Sequence, residues 1–179
     1  MMTSFPDNIP HIAQIIANVN PKTILDVGTG FGKYGLMARE ALLSINAERG
    51  DIIPNYKAVQ VDCAEMCEYF INLPYHDKLY DHHYHGDVRN IDLPKYDLIL
   101  LIDVAEHWPK EQVVKFIKDN VAKGSMILVS TPIVVGFYTQ EFYGKDCPKH
   151  ITQWSHKDFD EFEGHDVSTK DSYIYLLFK

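Results

Sequence analysis

The chain has 179 residues, 17 Lys and Arg against 25 Asp and Glu, and a formal charge of −8. At roughly 150 residues per domain this reads as one domain, 1–179, long enough to bury a core. The acidity argues against binding to nucleic acid, which rests on clustered Lys and Arg, and no run nears the roughly 18 apolar residues of a membrane span. The opening residues lack a basic stretch followed by an apolar one, so no secretory signal is expected. Cys63, Cys67 and Cys147 are an odd number and do not make a disulfide framework. A reducing, cytoplasmic setting follows, with Cys63 and Cys67 read as small buried side chains.

A first helix is expected over Asn8–Asn20, with Ile9, Ile12, Ile15, Ile16 and Val19 on one stripe and Pro21 ending it. Thr23–Val27 reads as a short buried strand that runs into Gly28, Gly30 and Gly32. A helix follows from about Phe31 to Ile45, then a loop through Gly50, Asp51 and Pro54. A second strand is placed at Lys57–Val61, a helix at Ala64–Leu73 and a weaker third strand near Leu79–His85. Tyr96–Ile102 is a continuous apolar run, the mark of a strand buried on both faces. Pro109 opens a helix to Ala122, with Val113, Phe116, Ile117 and Val121 inward, and Ser125–Ser130 is another buried strand.

Pro132–His150 then reads as a loop rich in aromatics: Phe137, Tyr138, Phe142 and Tyr143. Ser155 and Asp158 have capping-box spacing for a short helix. Strands near Asp166–Thr169 and Tyr173–Phe178 form a terminal hairpin. Strands alternating with helices, closed by a hairpin, give an α/β fold: a mostly parallel sheet of seven strands, covered on both faces, with an antiparallel C-terminal hairpin.

In such sheets ligands bind outside the carboxyl ends of the strands. Gly28, Gly30 and Gly32 follow the first strand there and allow a tight turn and close approach to bare backbone. Asp26, just before the turn, would repel a pyrophosphate and attract a cationic group. Gly30-Phe31-Gly32-Lys33-Tyr34-Gly35 also fits G-x-G-x-x-G, which keeps a dinucleotide in view, with Asp51 or Asp62 as the partner acid.

The segment Ile24–Gly32 (ILDVGTGFG) resembles the first motif of the class I S-adenosylmethionine (SAM)-dependent methyltransferases. Asp62 resembles the acid that holds the ribose hydroxyls in that family, and Gly86-Asp87-Val88 the segment that meets the adenine amino group. Tyr96–His107 resembles the fourth-strand motif, in which a Glu-His pair often follows the strand. The resemblance covers nearly the whole chain. It implies a Rossmann-like three-layer sandwich and SAM as cofactor, with S-adenosylhomocysteine (SAH) as product. The implied cofactor contacts are Asp26, Gly28, Thr29, Gly30, Gly32, Asp62, Cys63, Asp87, Val88 and Asp103.

The amino-methylating DNA enzymes of the family carry an N/D-P-P-Y/F element after this strand. Here Ile102–Ala105 stands in its place, and no Pro-Cys dipeptide provides a cytosine nucleophile. A small metabolite or sugar, methylated at oxygen or nitrogen, is the expected acceptor. His107 and His150 are the candidate general bases, since imidazole titrates near neutrality. No metal site is assigned: Asp103–Glu106 falls short of a multi-carboxylate site, and Tyr75–His85, with four of the nine histidines, reads as a solvated edge strand. A homodimer is admitted, because the substrate's cover must come from the first helix, the Pro132–His150 loop or a partner. Two other readings stand beside this one: an NAD(P)-dependent oxidoreductase carried by GFGKYG, and a non-catalytic cofactor-binding module.

Overall fold

A computed structural model of the protein describes residues 5–48, 59–134 and 149–179. The elements in chain order are α1 (Asn8–Val19), β1 (Thr23–Val27), α2 (Lys33–Glu48), β2 (Gln60–Glu65), α3 (Glu68–Ile71), α4 (His76–Leu79) and β3 (His83–His85). They continue as β4 (Leu98–Ile102), α5 (Lys110–Ala122), β5 (Met126–Pro132), β6 (Glu163–Asp166) and β7 (Ser172–Phe178). The sheet has seven strands in the order β3-β2-β1-β4-β5-β7-β6. β1 to β5 run parallel, and β7 lies antiparallel between β5 and β6. The expected sheet and its terminal hairpin are both present.

The centre of the sheet is made by sequence that has no polar face. All five residues of β4, Leu98–Ile102, are buried, as a strand covered on both sides must be. Alternation splits the core. Leu25, Ile99 and Leu101 join Trp108, Val113, Phe116 and Ile117 on one face, and Ile24, Leu98 and Leu100 join Ile12, Ile16, Ala38 and Leu42 on the other. α5 therefore covers the first face, and α1 with α2 the second. The strand order reverses between β1 and β4, which puts the crevice at their carboxyl ends.

The largest departure from the sequence reading is in β2. It begins at Gln60 and runs to Glu65, because it stays extended to pair with all of β1, from Thr23 opposite Gln60 to Val27 opposite Ala64. The helix expected over residues 64–73 shrinks to the single turn α3, and α4 forms beyond Pro74. β3 keeps only three residues and is a sheet edge, with His82 and His85 exposed. Cys63 is free and buried, but Cys67 is disulfide-bonded. Both are buried, as read, but the expectation of no disulfide fails for Cys67, since spacing along a chain does not say which thiols meet in space. The aromatic residues Phe137, Tyr138, Phe142 and Tyr143, and Asp51 of the dinucleotide alternative, lie outside the described residues. Among the described residues no helix is long and apolar enough to cross a membrane.

Candidate functional site

β1 ends in a left-handed turn. Gly28 has φ +66° and its N–H donates to the Ala64 carbonyl at 2.8 Å, which ties the turn to β2. A Cβ on Gly28 would sit 2.6 Å from Val104 Cγ2, so only glycine fits. Gly30 has φ +51°, and a Cβ there would meet nothing within 4 Å. Its backbone is open to whatever lies over the sheet. Gly32 N–H closes the turn on the Thr29 carbonyl at 2.8 Å, and α2 starts at once. Thr29 is buried and its Oγ1 has no hydrogen-bond partner.

The carboxylate that faces this turn is Glu65, the last residue of β2. Glu65 Oε2 accepts from Gly30 N–H at 3.0 Å, and Oε1 accepts from Met66 N–H at 2.9 Å and Cys67 N–H at 2.7 Å. Burial raises its carboxyl above the usual range, and these three amides work against that rise. Sequence reasoning missed Glu65. The signal was present in Val61–Ala64, which extends the strand, but the polar Asp62 was taken for its end.

Asp62 lies inside β2 instead, 1% exposed. Tyr96 donates to its Oδ2 at 2.6 Å, Gln60 Nε2 donates to the same oxygen at 2.8 Å, and His82 Nδ1 is 3.0 Å from Oδ1. Its oxygens are taken up in the wall of the fold, so the ribose role read for it does not suit its position. Cys63 is on the opposite face of the strand, its Sγ 3.3 Å from His83 Nδ1, with burial pushing the thiol well up. It too is away from the strand's end.

Asp26 is 2% exposed and accepts from Tyr80 Oη at 2.7 Å. Burial pushes its carboxyl up to about 7; the Tyr80 bond opposes this and the Glu65 charge adds to it. It braces the turn from beneath and is not open to solvent. Asp87 is held by Arg89, which donates from N at 3.0 Å and from Nε at 2.7 Å to Oδ1, and these bonds draw its carboxyl below the usual range. Val88, next to it, is buried. The Arg89 guanidinium lies 4.8 Å over the Trp108 ring, which links this segment to the end of β4.

Asp103 follows β4 with φ +54°, a left-handed backbone unusual for a residue with a side chain. Its N–H donates to the Ser130 carbonyl at 2.8 Å and its Oδ1 accepts from Ser130 Oγ at 3.2 Å. A tight turn, Ala105–His107, comes next. His107 and His150, far apart in sequence, meet there with ring centroids 4.6 Å apart. The Glu106 carbonyl accepts from both Ile151 N–H at 2.8 Å and Thr152 N–H at 3.0 Å, and Thr152 Oγ1 donates to the Trp108 carbonyl at 2.6 Å. These bonds bring His150 to the end of β4. Glu106 itself is 1% exposed, with no hydrogen-bond partner on either oxygen. Burial, with the Asp103 charge added, drives its carboxyl well above the usual range.

The carboxyl ends of β1, β2 and β4 thus hold three kinds of group: an open glycine turn with an unsatisfied hydroxyl, an ordered carboxylate, and an imidazole pair. The first two suit a nucleoside with a charged tail, because bare amides and a carboxylate are what hydroxyls and carboxyl groups bind. The third suits proton handling or ligation.

Neither a family model nor a curated protein matches the sequence. Solved structures do match its fold. A protein assigned as an O-methyltransferase from Nostoc punctiforme PCC 73102 superposes with a TM-score of 0.62 at 14% identity, over 97% of this chain and 56% of that one. The chain thus spans little more than half of that protein. The methyltransferase domain of bacterial CtHen1 gives 0.60 at 15% identity, over 96% of this chain and 97% of that one. Magnesium protoporphyrin IX methyltransferase from Synechocystis PCC 6803, with bound SAH, gives 0.57 at 16% identity, over 96% and 83%. Identities this low speak for architecture, and the architecture agrees with the resemblance in the sequence: the chain has the class I methyltransferase fold.

Proposed function

We propose that the chain is a SAM-dependent methyltransferase that places a methyl group on an oxygen or nitrogen of a small molecule. The observation that carries this reading is the open left-handed turn at Gly30, joined to Glu65 across the ends of β1 and β2. The residues present fit the cofactor. Gly28–Gly32 would let its amino-acid tail approach bare backbone, and Thr29 Oγ1 has a hydrogen bond to give. Glu65 accepts three bonds, and a carboxylate has about four lone-pair sites, so one remains for a ribose hydroxyl. When bound, SAM supplies a methyl on a sulfonium, which is already a strong electrophile.

The chain's own residues then have to orient an acceptor and dispose of its proton. Holding two reactants in line is worth several kcal/mol of barrier. His107 and His150, at the end of β4, are the groups that meet the acceptor and help its proton leave. The net charge of −8 favours a small acceptor over nucleic acid.

Calorimetric titration with SAM, SAH and NAD tests this. SAM and SAH are expected to bind, and Glu65→Ala to weaken both by about tenfold or more, the cost of one hydrogen bond to a charged group. NAD binding with no SAM or SAH binding would overturn the reading in favour of a dinucleotide enzyme.

A further inference from the structure

We propose that Glu106, His107 and His150 form a binding site for a divalent transition-metal cation, whose open coordination positions receive the oxygen donors of the methyl acceptor. One ligand atom from each residue lies within 4.8 Å of the others. A cation about 2.1 Å from each donor holds them roughly 3–4 Å apart, so modest side-chain rotation closes the site.

Three independent features point to a cation. The first is Glu106. A carboxyl group that is 1% exposed and has no hydrogen bond to either oxygen is costly, and buried polar groups in proteins are ordinarily hydrogen-bonded or coordinate a metal. A cation between Glu106 and the imidazoles would meet that need. The second is the anchoring of His150. Two N–H groups, of Ile151 and Thr152, converge on the Glu106 carbonyl, and Thr152 Oγ1 is bonded to the Trp108 carbonyl. The chain is fastened where His150 must stand to reach Glu106, and ligation needs donors held in place. The third is the donor set. One carboxylate and two imidazoles suit Mn, Fe, Co, Ni or Zn, whereas Mg and Ca favour oxygen alone. Three protein ligands leave coordination positions free, as metal sites that act on substrates do. Both histidines are half-buried, so the site has an outer side.

Ligation would replace the use of His107 and His150 as free proton acceptors. A metal-held hydroxyl loses its proton more easily than a free one, and that proton would pass to solvent water. The acceptor half of this proposal rests on the methyltransferase reading; the cation half does not.

The test is titration of MnCl2 into cofactor-free protein, with unbound Mn2+ read by electron paramagnetic resonance. Uptake of about one equivalent is expected. It should weaken by at least about tenfold in Glu106→Gln and in His150→Ala, since even outer-shell changes cost 10–100-fold. Melting curves keep the result readable: Glu106→Gln keeps the shape and size of the side chain and should melt close to the parent, and Mn2+ should raise the melting temperature of the parent alone. Uptake by the variants equal to that of the parent would place the ion elsewhere and overturn the proposal. So would no uptake of MnCl2, CoCl2 or ZnCl2 by protein that binds SAM, and in that case the methyltransferase reading survives. Mn2+ uptake by protein that binds no SAM supports the cation site and removes its proposed acceptor.

Discussion

Asp26 shows how one buried carboxyl sets a pH response. Its carboxyl is pushed up to about 7 in the folded chain by burial, against 3.8 in an unconstrained one. Between those values the unfolded chain has released the proton and the folded chain keeps it, so stability falls as pH rises and the loss is complete above about 7. Asp26→Asn has no proton to lose and can still accept from Tyr80. The variant's urea midpoint should therefore decline less than the parent's between about pH 5 and about pH 8. Glu65, raised in the same direction, titrates in both proteins, and its repulsion of Asp26 is lost in the variant, which flattens the variant's decline further. At this scale the sequence was half legible. Asp26 and the glycines were found because their motif is local. Glu65 was not placed, and Glu106 was read only within the Glu-His pair after the fourth strand, because their surroundings depend on where β2 stops and on a contact with residues 150–152 that no spacing encodes.

The turn after β1 is the element where geometry and packing separate most cleanly. Gly28 and Gly30 both have positive φ, so alanine at either costs about 1 kcal/mol in backbone strain. Only at Gly28 does the new methyl collide, 2.6 Å from Val104 Cγ2, and overpacking adds about 1–3 kcal/mol. Thermal denaturation should show Gly28→Ala losing clearly more stability than Gly30→Ala. A similar loss at both would mean that Val104 yields without cost. Elements with a single strong period were read well: β1, β4, α1 and α5 lie close to their expected bounds. The segment from residue 60 to residue 85 was not, because its length is set by pairing with β1 and by Pro74 rather than by its own periodicity.

The whole molecule is tied together by contacts that span the chain. Asn8, fully buried at the start of α1, donates from Nδ2 to Ser172 Oγ at 2.8 Å and accepts from Thr169 Oγ1 at 3.0 Å. Asn8→Ala removes both bonds and strands their partners, a loss of about 2–3 kcal/mol. For a chain of this size that is a fall in melting temperature of roughly 5–10 °C. A shift within error would show that water replaces the amide. The parallel sheet and its terminal hairpin were legible from alternation and hydrophobic runs, yet nothing in the sequence announced this clasp, because polar pairing across 164 residues leaves no period. The clasp also bears on where the protein breathes. α1 cannot fray alone, since its first turn is fastened to the loop before β7, and β7 is flanked by β5 and β6. The two regions open as one cooperative unit, at a free energy near that of global unfolding. Low-cost excursions then fall to the short turn α4 and to the outer strands β3 and β6, and one of these, β3, pairs through His85 with Glu65 at the edge of the proposed cofactor site.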